Sequence, residues 1–271
     1  MNSSTTAPAP PVTRIEPKNA GFLRDLTSVA YRALRAIPRD PAAVIPALII
    51  PLFFFVVNIG ALESVAEGIG VEDFRAFQLP VAIVFAVTGV SRASDLVTDI
   101  SSGYFDRLLL TPMSRTALLL GLMVADLVLV MALCVPVLIL GFLVGVEFAT
   151  GVLGAVVFVL IAGLWGLAFT GFPYAIALRT GSPAAVNSSF LLFFPFAFLT
   201  TSFLPLEALT GWLAAIADYN PITYLLASLR SLLSEGWVWA DLWPGLLAIL
   251  IVGALSFTLA FGALRGRVSR G

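Results

Sequence analysis

Long apolar stretches alternate with short polar ones along most of this chain. Six of the stretches are about as long as the ~20 residues that a helix needs to cross a bilayer. They cover residues 41–60, 78–98, 116–145, 151–178, 184–204 and 242–264. The pattern therefore predicts an all-α integral membrane protein, with one domain of six transmembrane helices over residues 41–264.

Residues 21–40 follow a different pattern, in which apolar residues recur at three- and four-residue steps between basic ones. The apolar positions are Phe22, Leu26, Val29, Ala33 and Ile37. The basic positions are Arg24, Arg32, Arg35 and Arg39. This spacing predicts an amphipathic interfacial helix at a membrane surface, although a helix that only flanks the first span would show the same pattern.

Residues 205–241 are half polar and predict two short amphipathic helices before the last span. The helices lie near residues 207–217 and 222–234, and Asn220-Pro221 separates them. Neither is long enough to cross a bilayer, so both are expected to lie in the interface or to re-enter it. The candidate residues of this outer re-entrant region are Pro205, Glu207, Asn220 and Pro221.

The composition supports a membrane protein and excludes several chemistries. The chain is 59% hydrophobic and 11% charged, against ~25% charged in an average soluble domain. It contains no His, which excludes a His base, a His metal site and a Ser-His-Asp triad. Its only Lys, Lys18, lies in PKNA and not in the Gly-Lys-Ser/Thr unit that a P-loop needs. Any ATP that drives this protein must therefore be bound by another polypeptide.

Positive charge is distributed unequally between the loops. Six spans would place both termini on one side of the membrane. Thirteen of the fifteen Lys and Arg residues would lie on that side, and Arg75 and Arg230 would lie on the other. Cytoplasmic loops of membrane proteins carry such an excess of Lys and Arg. We therefore expect residues 1–20, a Ser-, Thr- and Pro-rich disordered tail, and residues 265–271, a basic tail, to be cytoplasmic.

The loop between spans two and three would then be cytoplasmic too. Residues 99–115 of this loop read DISSGYFDRLLLTPMSR. Phe105 and Leu108 would give a short helix here an apolar side, Asp106 and Arg107 a charged side, and Pro112 would end it. The pattern predicts a short helix that lies outside the bilayer.

Two motifs resemble the type-2 permeases of ABC exporters. GYFDRLLLTPMSR stands between spans two and three, and FLPLEALTGWL…YNPITY…LR stands before the last span, where this family has an outer loop. The six-span plan with its basic amphipathic start also resembles the family, over roughly residues 20–265. Within it, the chain is most similar to drug-resistance permeases of the daunorubicin type.

This resemblance implies a transport subunit that is not an enzyme and has no nucleic-acid partner. Two permeases, identical or related, would pair in the bacterial plasma membrane and dock on a cytosolic ATPase dimer that binds ATP and Mg. They would export a hydrophobic or amphiphilic compound, drug-like, lipid or glycolipid, from the cytoplasm or the inner leaflet. The loop between spans two and three would couple to the ATPase. Its coupling residues would be Gly103, Phe105, Asp106, Arg107, Leu108, Thr111, Pro112 and Arg115.

The predicted fifth span supplies candidates for the translocation path, because it combines polar residues with an aromatic run that would suit an amphiphilic compound. The candidates are Asn187, Ser188, Phe190, Phe193, Phe194, Thr200 and Thr201. The alternative is that these rings pack on lipid or on neighbouring helices. Asp126 in span three should face protein, and Arg92 and Asp95 share a helical face near the end of span two. Their role, structural or functional, stays open.

Other classes of protein remain possible at this point. An ion-coupled secondary transporter or channel would keep ionisable residues near mid-membrane, of which this chain offers Asp126. A membrane-embedded enzyme or a scaffold is also open, although no paired-Asp, metal or nucleophile motif is visible. Transport that collapses with the proton gradient would favour the first class, and copurification with an ATPase would argue against the other two.

Overall fold

The computed structural model describes residues 21–39, 41–109 and 113–268, and every regular element in these ranges is helical. The helices are α1 (Phe22–Ala36), α2 (Pro41–Gly68), α3 (Phe74–Thr88), α4 (Ala93–Ser101), α5 (Tyr104–Leu109), α6 (Arg115–Leu143), α7 (Gly151–Thr180), α8 (Pro183–Ser189), α9 (Phe193–Phe198), α10 (Gly211–Tyr219), α11 (Pro221–Arg230) and α12 (Trp239–Val268). Short 3₁₀ turns occur at Ile37–Arg39, Phe190–Leu192 and Leu206–Ala208, and a π-helical turn at Ser231–Glu235. The predicted tail at residues 1–20 and the last three residues of the basic tail lie outside the described residues.

Within the ranges that the structure describes, five helices are long and apolar enough to cross a membrane. They are Val44–Gly68 in α2, Phe74–Ser101 across α3 and α4, Arg115–Leu143 in α6, Gly151–Thr180 in α7 and Trp239–Arg267 in α12. These helices correspond to predicted spans one to four and six, and the first continues to Gly68 instead of ending at Gly60. The chain is therefore an all-α protein with several membrane-spanning helices, as predicted.

The predicted fifth span, residues 184–204, is not one continuous helix. α8 ends at Ser189, a 3₁₀ turn follows, and the apolar helical segment covers only Pro183–Phe198. Two local features interrupt it: the Ser189 hydroxyl donates to the carbonyl of Val186, and Pro195 has no N–H to donate. The prediction of one spanning helix here is corrected to a shorter, broken segment.

Glycine allows two pairs of helices to approach closely. A Cβ atom on Gly171 of α7 would lie 2.6 Å from the carbonyl carbon of Ser256 in α12. A Cβ atom on Gly121 of α6 would lie 2.8 Å from the carbonyl oxygen of Leu26 in α1. Because close-packed interiors leave no room for such overlaps, the α7–α12 and α1–α6 contacts depend on glycine at these positions.

The connections define two ends of the helix bundle, which we name the α1 end and the opposite end. At the α1 end, the Arg267 guanidinium near the end of α12 donates to the carbonyl of Leu178 in the last turn of α7, at 3.3 Å. At the opposite end, Arg75 in the first turn of α3 donates to the carbonyl of Val144 after α6, at 2.8 Å. The loops after α2 and α6 therefore meet at the opposite end.

Candidate functional site

α1 packs on the first half of α6 at the α1 end. Its buried face includes Asp25, Val29 and Ala33. The Asp25 carboxylate accepts a hydrogen bond from the N–H of Ser114, at 3.1 Å, immediately before α6 begins. The helix predicted over residues 21–40 is therefore present, and one of its faces contacts the bundle. Sequence reasoning missed Asp25, whose partner stands far along the chain.

Arg32 connects α1 to the segment between the second and third long helices. Its guanidinium donates to the Asp99 carboxylate of α4 at 2.8 Å and lies 4.9 Å from the ring centre of Tyr104 in α5. Burial lowers the pKa of Arg32, but the hydrogen bond and the charge of Asp99 outweigh burial, and the pKa ends above its usual value. Three elements therefore meet at one guanidinium.

The other basic residues predicted in α1 have different surroundings. Arg24 is exposed, and the Arg35 guanidinium lies 4.3 Å from the ring centre of Tyr31 in the same helix. The side chain of Arg39 lies outside the described part of the chain. Among the described basic side chains of α1, it is Arg32 that bridges to α4.

The second membrane-spanning helix is interrupted between α3 and α4, and the carboxylate of Asp126 from α6 fills the interruption. Asp126 accepts hydrogen bonds from the N–H of Arg92 at 3.0 Å, from the Ser91 hydroxyl at 3.3 Å and from the Thr170 hydroxyl at 3.0 Å. Its side chain is buried, as expected for a carboxylate that faces protein. Asp126 therefore serves as an N-terminal cap that another helix supplies to α4.

The predicted polar face of Arg92, Asp95 and Asp99 is present on α4 and the turn before it. Its two acids have different partners, because Asp95 pairs with Arg92 while Asp99 pairs with Arg32. The Nε of Arg92 has no hydrogen-bond partner among the described residues. This face lies beside α1, where Arg32, Arg92 and both acids line a small pocket.

The predicted coupling loop contains a short helix, α5, which follows a turn at Gly103 with a φ of +69°. Phe105 in this helix is 1% exposed and belongs to an apolar cluster that includes Val29 of α1 and Leu264 of α12. The prediction that Phe105 contacts an ATPase is therefore corrected: its ring packs inside the bundle and holds α5 in place. Arg107 is exposed.

The remaining predicted coupling residues are only partly described. Thr111 and Pro112 lie outside the described residues, and so do the side chains of Asp106 and Leu108. Arg115 is exposed at the first position of α6, and Gly103 is half-buried. Among the predicted coupling side chains that the structure describes, Arg107 and Arg115 are those that remain accessible on the α1 end.

The residues proposed for the translocation path do not share one surface. Asn187 and Ser188 are exposed near the α1 end, where the Asn187 side-chain oxygen accepts from the Ser94 hydroxyl at 3.2 Å. Phe193 is buried against the rings of Phe85 and Phe169, with ring centres 5.6 and 5.5 Å away. The packing alternative therefore holds for Phe193.

The other aromatic and hydroxyl candidates for the path also differ in their burial. Phe190 is half-buried and Phe194 is exposed. Thr200 and Thr201 are buried. The Thr200 hydroxyl donates to the carbonyl of Ala197 in the last turn of α9, at 2.6 Å.

Asn220 joins the end of this broken segment to α11. Its side-chain N–H groups donate to the carbonyls of Phe196 at 2.7 Å and Leu199 at 2.9 Å. Its side-chain oxygen accepts from the N–H of Ile222 at 3.0 Å and so caps α11, in which Pro221 takes the first position. The break predicted at Asn220-Pro221 is therefore also a junction between two segments.

Arg230, at the end of α11, makes a second junction that sequence reasoning missed. Its guanidinium donates to the carbonyl of Phe77 at 3.1 Å, to the carbonyl of Thr201 at 2.7 Å and to the Thr201 hydroxyl at 3.0 Å. It also lies 3.5 Å from the ring centre of Phe77. Burial lowers the pKa of Arg230 to about 9. The signal was its isolation, because Arg230 and Arg75 are the two cations outside the predicted cytoplasmic side.

A cavity of about 1180 Å³ opens at the opposite end, between the loops after α2 and α6, the segment around Pro205, α11 and the start of α12. Pro205, Glu207 and Arg230 are among its lining residues. The lining also includes the acids Glu72, Asp73, Glu147, Glu235 and Asp241. Burial raises the pKa of Glu235, and the charge of Asp241 and a hydrogen bond with it raise the pKa further. The cavity is therefore concave and predominantly acidic.

Most of the elements described above lie within the part of the chain that is similar to known proteins. The family model of the ABC-2 type transporter matches residues 24–234, from α1 to the π-helical turn. The daunorubicin resistance ABC transporter permease protein DrrB1 of Streptomyces coeruleorubidus is 28% identical over 206 residues, 75% of this chain and 72% of that protein. The probable doxorubicin resistance ABC transporter permease protein DrrC of Mycobacterium tuberculosis is 25% identical over 207 residues, 76% of this chain and 75% of that protein.

The family match includes α1, α5, Asp126 and both junctions, and it extends over far more than half of the chain. The relatives are permease subunits and not ATPases. The chain therefore belongs to the ABC-2 type transporter family, as a multi-pass membrane permease subunit of an ABC exporter.

Proposed function

We propose that this permease exports a hydrophobic or amphiphilic compound across the bacterial plasma membrane, and that a separate ATPase drives it through α5. The observation that carries the proposal is the arrangement of α5, in which Phe105 is buried in the bundle while Arg107 stays exposed. Such a helix transmits force, because its inner side moves with the permease and its outer side is free for a partner.

Membership of the family implies an ABC ATPase as that partner. We infer that ATP and Mg bind to a dimer of this ATPase and that this chain binds neither. Only a contact that differs between the ATPase states can shift the permease between conformations. The ion pair of Arg32 with Asp99 and the burial of Phe105 would pass a displacement of α5 on to α1, α4 and α12.

We propose that the broken segment nevertheless makes a sixth crossing, which would put both termini on one side of the membrane. The segment starts near the α1 end, where Asn187 contacts Ser94, and reaches the opposite end, where Arg230 binds Thr201. At 1.5 Å per residue, the helical part alone spans about 24 Å. Six crossings would leave both termini at the α1 end, and the excess of Lys and Arg there supports a cytoplasmic side for that end.

Two relatives are named for resistance to daunorubicin and doxorubicin. We infer from this similarity that a drug-like compound is a better candidate for the cargo than a lipid or glycolipid. We also propose a second permease, identical or related, as a partner. Exposed apolar side chains on α2, among them Ile49, Phe53 and Val56, offer a face for it or for lipid.

The coupling role is tested by Arg107→Glu in the permease reconstituted with its ATPase. Reversing the charge of an exposed docking residue should reduce ATP-dependent export and copurification of the ATPase at least about tenfold, since like charges across an interface cost several kcal/mol. The matched control is Arg179→Glu, which changes another exposed arginine at the α1 end, in the last turn of α7. Normal export and normal copurification of Arg107→Glu would contradict the proposal.

Membership of the ABC-2 type transporter family argues against the ion-coupled transporter that the sequence alone left open. Its best candidate residue, Asp126, is occupied by three hydrogen bonds that hold the interruption between α3 and α4. Export that continues without ATP and stops when the proton gradient is dissipated would support this alternative.

A further inference from the structure

The apolar interior of the bundle is divided along its length into two clusters. The first, which we name the α1-end core, includes buried side chains of α1, α4, α5 and one half each of α6, α7 and α12; among them are Val29, Leu96, Phe105, Leu119, Leu178 and Leu264. The second, the opposite core, includes buried side chains of α2, α3, α11 and the other halves of α6, α7 and α12; among them are Phe55, Ile83, Leu225, Cys134, Trp165 and Ile249.

Buried polar side chains lie at the boundary between the two cores. Asp126 stands between the two sets of core residues on α6, Thr170 on α7 and Ser256 on α12. Arg92 stands between α3, which belongs to the opposite core, and α4, which belongs to the α1-end core. All four side chains are buried, and we name them the polar layer.

Three of the helical connections between the two cores are interrupted. α3 ends before Arg92, and α4 begins after it. In the broken segment, Val186 of α8 belongs to the α1-end core and Phe193 of α9 to the opposite core, with a 3₁₀ turn between them. In α7, Pro173 has no N–H to donate to the carbonyl of Phe169. The cores are therefore joined less rigidly than continuous helices would join them.

Two buried polar groups at this boundary have no hydrogen-bond partner among the described residues. One is the hydroxyl of Tyr174, which lies one helical turn after Thr170 on the same face of α7, and the other is the Nε of Arg92. The Tyr174 hydroxyl lies close to the Asp126 carboxylate. Asp126 is nevertheless bound by the hydroxyl of Thr170, at 3.0 Å. Because an unpaired buried hydroxyl costs free energy, an arrangement that pairs Tyr174 with Asp126 would recover that cost.

We propose that the polar layer is a hinge between the two cores, at which Asp126 exchanges the hydroxyl of Thr170 for that of Tyr174. The α1-end core moves as one body in this exchange. The hinge rests on the proposed function, because it is a displacement of α5 by the ATPase that moves this core, through the buried ring of Phe105. Tyr174 is then a positioning residue that stabilises the second arrangement.

The first experiment compares Tyr174→Phe with the unaltered permease. The substitution keeps the ring and removes a hydroxyl that has no partner in the arrangement described here, so the melting temperature of the ATP-free permease should stay the same or rise. ATP-dependent export by the permease reconstituted with its ATPase should nevertheless fall at least about threefold, because the second arrangement loses a hydrogen bond. The control, Tyr219→Phe, removes an exposed hydroxyl at the end of α10 and should change neither quantity.

Thr170→Val tests the first arrangement. It keeps the shape of the side chain and removes the hydroxyl that binds Asp126 here. We expect it to lower the melting temperature of the ATP-free permease, which is the opposite of what a merely structural role for both hydroxyls would give for Tyr174→Phe. Three results would overturn the proposal: a lower melting temperature for Tyr174→Phe, unchanged export by Tyr174→Phe, or an unchanged melting temperature for Thr170→Val.

The second experiment measures the motion without altering the polar layer. Spin labels on exposed single cysteines report distances by pulsed electron paramagnetic resonance, and the buried Cys134 stays unlabelled. The pair Thr98→Cys in α4 and Val65→Cys in α2 reports the distance between the two cores. The pair Thr98→Cys and Leu23→Cys in α1 reports a distance within the α1-end core. Labelled chains are diluted with unlabelled ones, so that each distance is measured within one chain.

Trapping the ATPase with vanadate should shift the distance between the cores and leave the distance within the α1-end core unchanged. Tyr174→Phe should reduce the shift. If neither distance changes although the complex exports, or if both change equally, the α1-end core does not move as one body and the proposal is wrong.

The hinge and the exporter function fail in different ways. If the unaltered complex exports and Tyr174→Phe exports equally well, the hinge fails and the exporter proposal stands. If the unaltered complex does not export with ATP, the exporter proposal fails, and the melting temperatures of Tyr174→Phe and Thr170→Val alone then decide whether Asp126 depends on Thr170 and not on Tyr174 in the arrangement described here.

Discussion

At the scale of single residues, buried polar side chains repair the places where the helices are interrupted. Asp126 accepts the free N–H of Arg92 before α4, and Asn220 binds the last carbonyls of α9 and the first N–H of α11. Arg230 binds the carbonyls of Phe77 in α3 and of Thr201 after α9, and so joins the two elements to α11. Asp126 and Asn220 satisfy backbone groups at interruptions that would otherwise be buried without partners.

Asn220 gives the sharpest prediction at this scale. Asn220→Ala should lower the free energy of unfolding by about 2–4 kcal/mol, because the cap of α11 is lost and the carbonyls of Phe196 and Leu199 lose their donor. The measurement is thermal unfolding in detergent, followed by loss of helical circular dichroism.

Asn220→Asp separates the two roles of this side chain. The aspartate still accepts from the N–H of Ile222, but it cannot donate to the carbonyls of Phe196 and Leu199. We expect it to destabilise the protein at least as much as Asn220→Ala. A melting temperature equal to that of the unaltered chain would mean that capping is the whole function of Asn220.

Some of these single-residue features could be predicted from the sequence. Asn220-Pro221 was predictable as a break, since Pro cannot continue a helix and Asn favours turns. The burial of Asp126 was predictable from the cost of a carboxylate in lipid. Their partners were not, because Phe196, Arg92 and Thr170 lie in other elements and only the packing of the helices brings them within reach.

At the scale of elements, apolar length predicted the helices but not their interruptions. Five predicted spans appear as long helices because an apolar segment of ~20 residues has no other way to satisfy its backbone in lipid. The interruption between α3 and α4 contains no Pro, and it is stabilised by Asp126 from α6. The interruption before α9 depends on Ser189 and Pro195. Both residues can be read from the sequence, but the apolar residues around them favoured the prediction of one continuous helix.

The contact between α7 and α12 yields a prediction about an element. Gly171→Ala should lower the melting temperature, since a Cβ atom at 2.6 Å from the backbone of Ser256 forces the two helices apart, at a cost of about 1–3 kcal/mol. Gly262→Ala on α12 is the matched control, because no heavy atom lies within 4 Å of its Cβ position. The control should be neutral or slightly stabilising, as alanine favours helix.

An equal change in melting temperature for the two glycine variants would contradict this account. It would mean that α7 and α12 can separate slightly without loss of stability. A larger loss for Gly171→Ala than for Gly262→Ala would identify the α7–α12 contact as a fixed part of the bundle.

At the scale of the whole molecule, the two ends of the bundle differ in charge and in the kind of surface they present. The α1 end exposes Arg24, Arg107 and Arg115 on its short helices and at the start of α6. The opposite end contains the cavity lined by acids. A displacement of α5 would therefore have to travel the length of the bundle to reach this cavity.

The decisive question at this scale is whether the segment from Pro183 to Leu204 crosses the membrane. Cys134, the only cysteine, is buried, so the unaltered chain should not react with a membrane-impermeant maleimide. Ser188 lies near the start of the segment and Thr210 lies beyond its end, and both are exposed, so single cysteines at these positions report on its two ends. If it crosses, Thr210→Cys should react in intact cells, while Ser188→Cys should react only after lysis. Reaction of both variants in intact cells, or of neither, would place the two residues on one side and leave five crossings with termini on opposite sides.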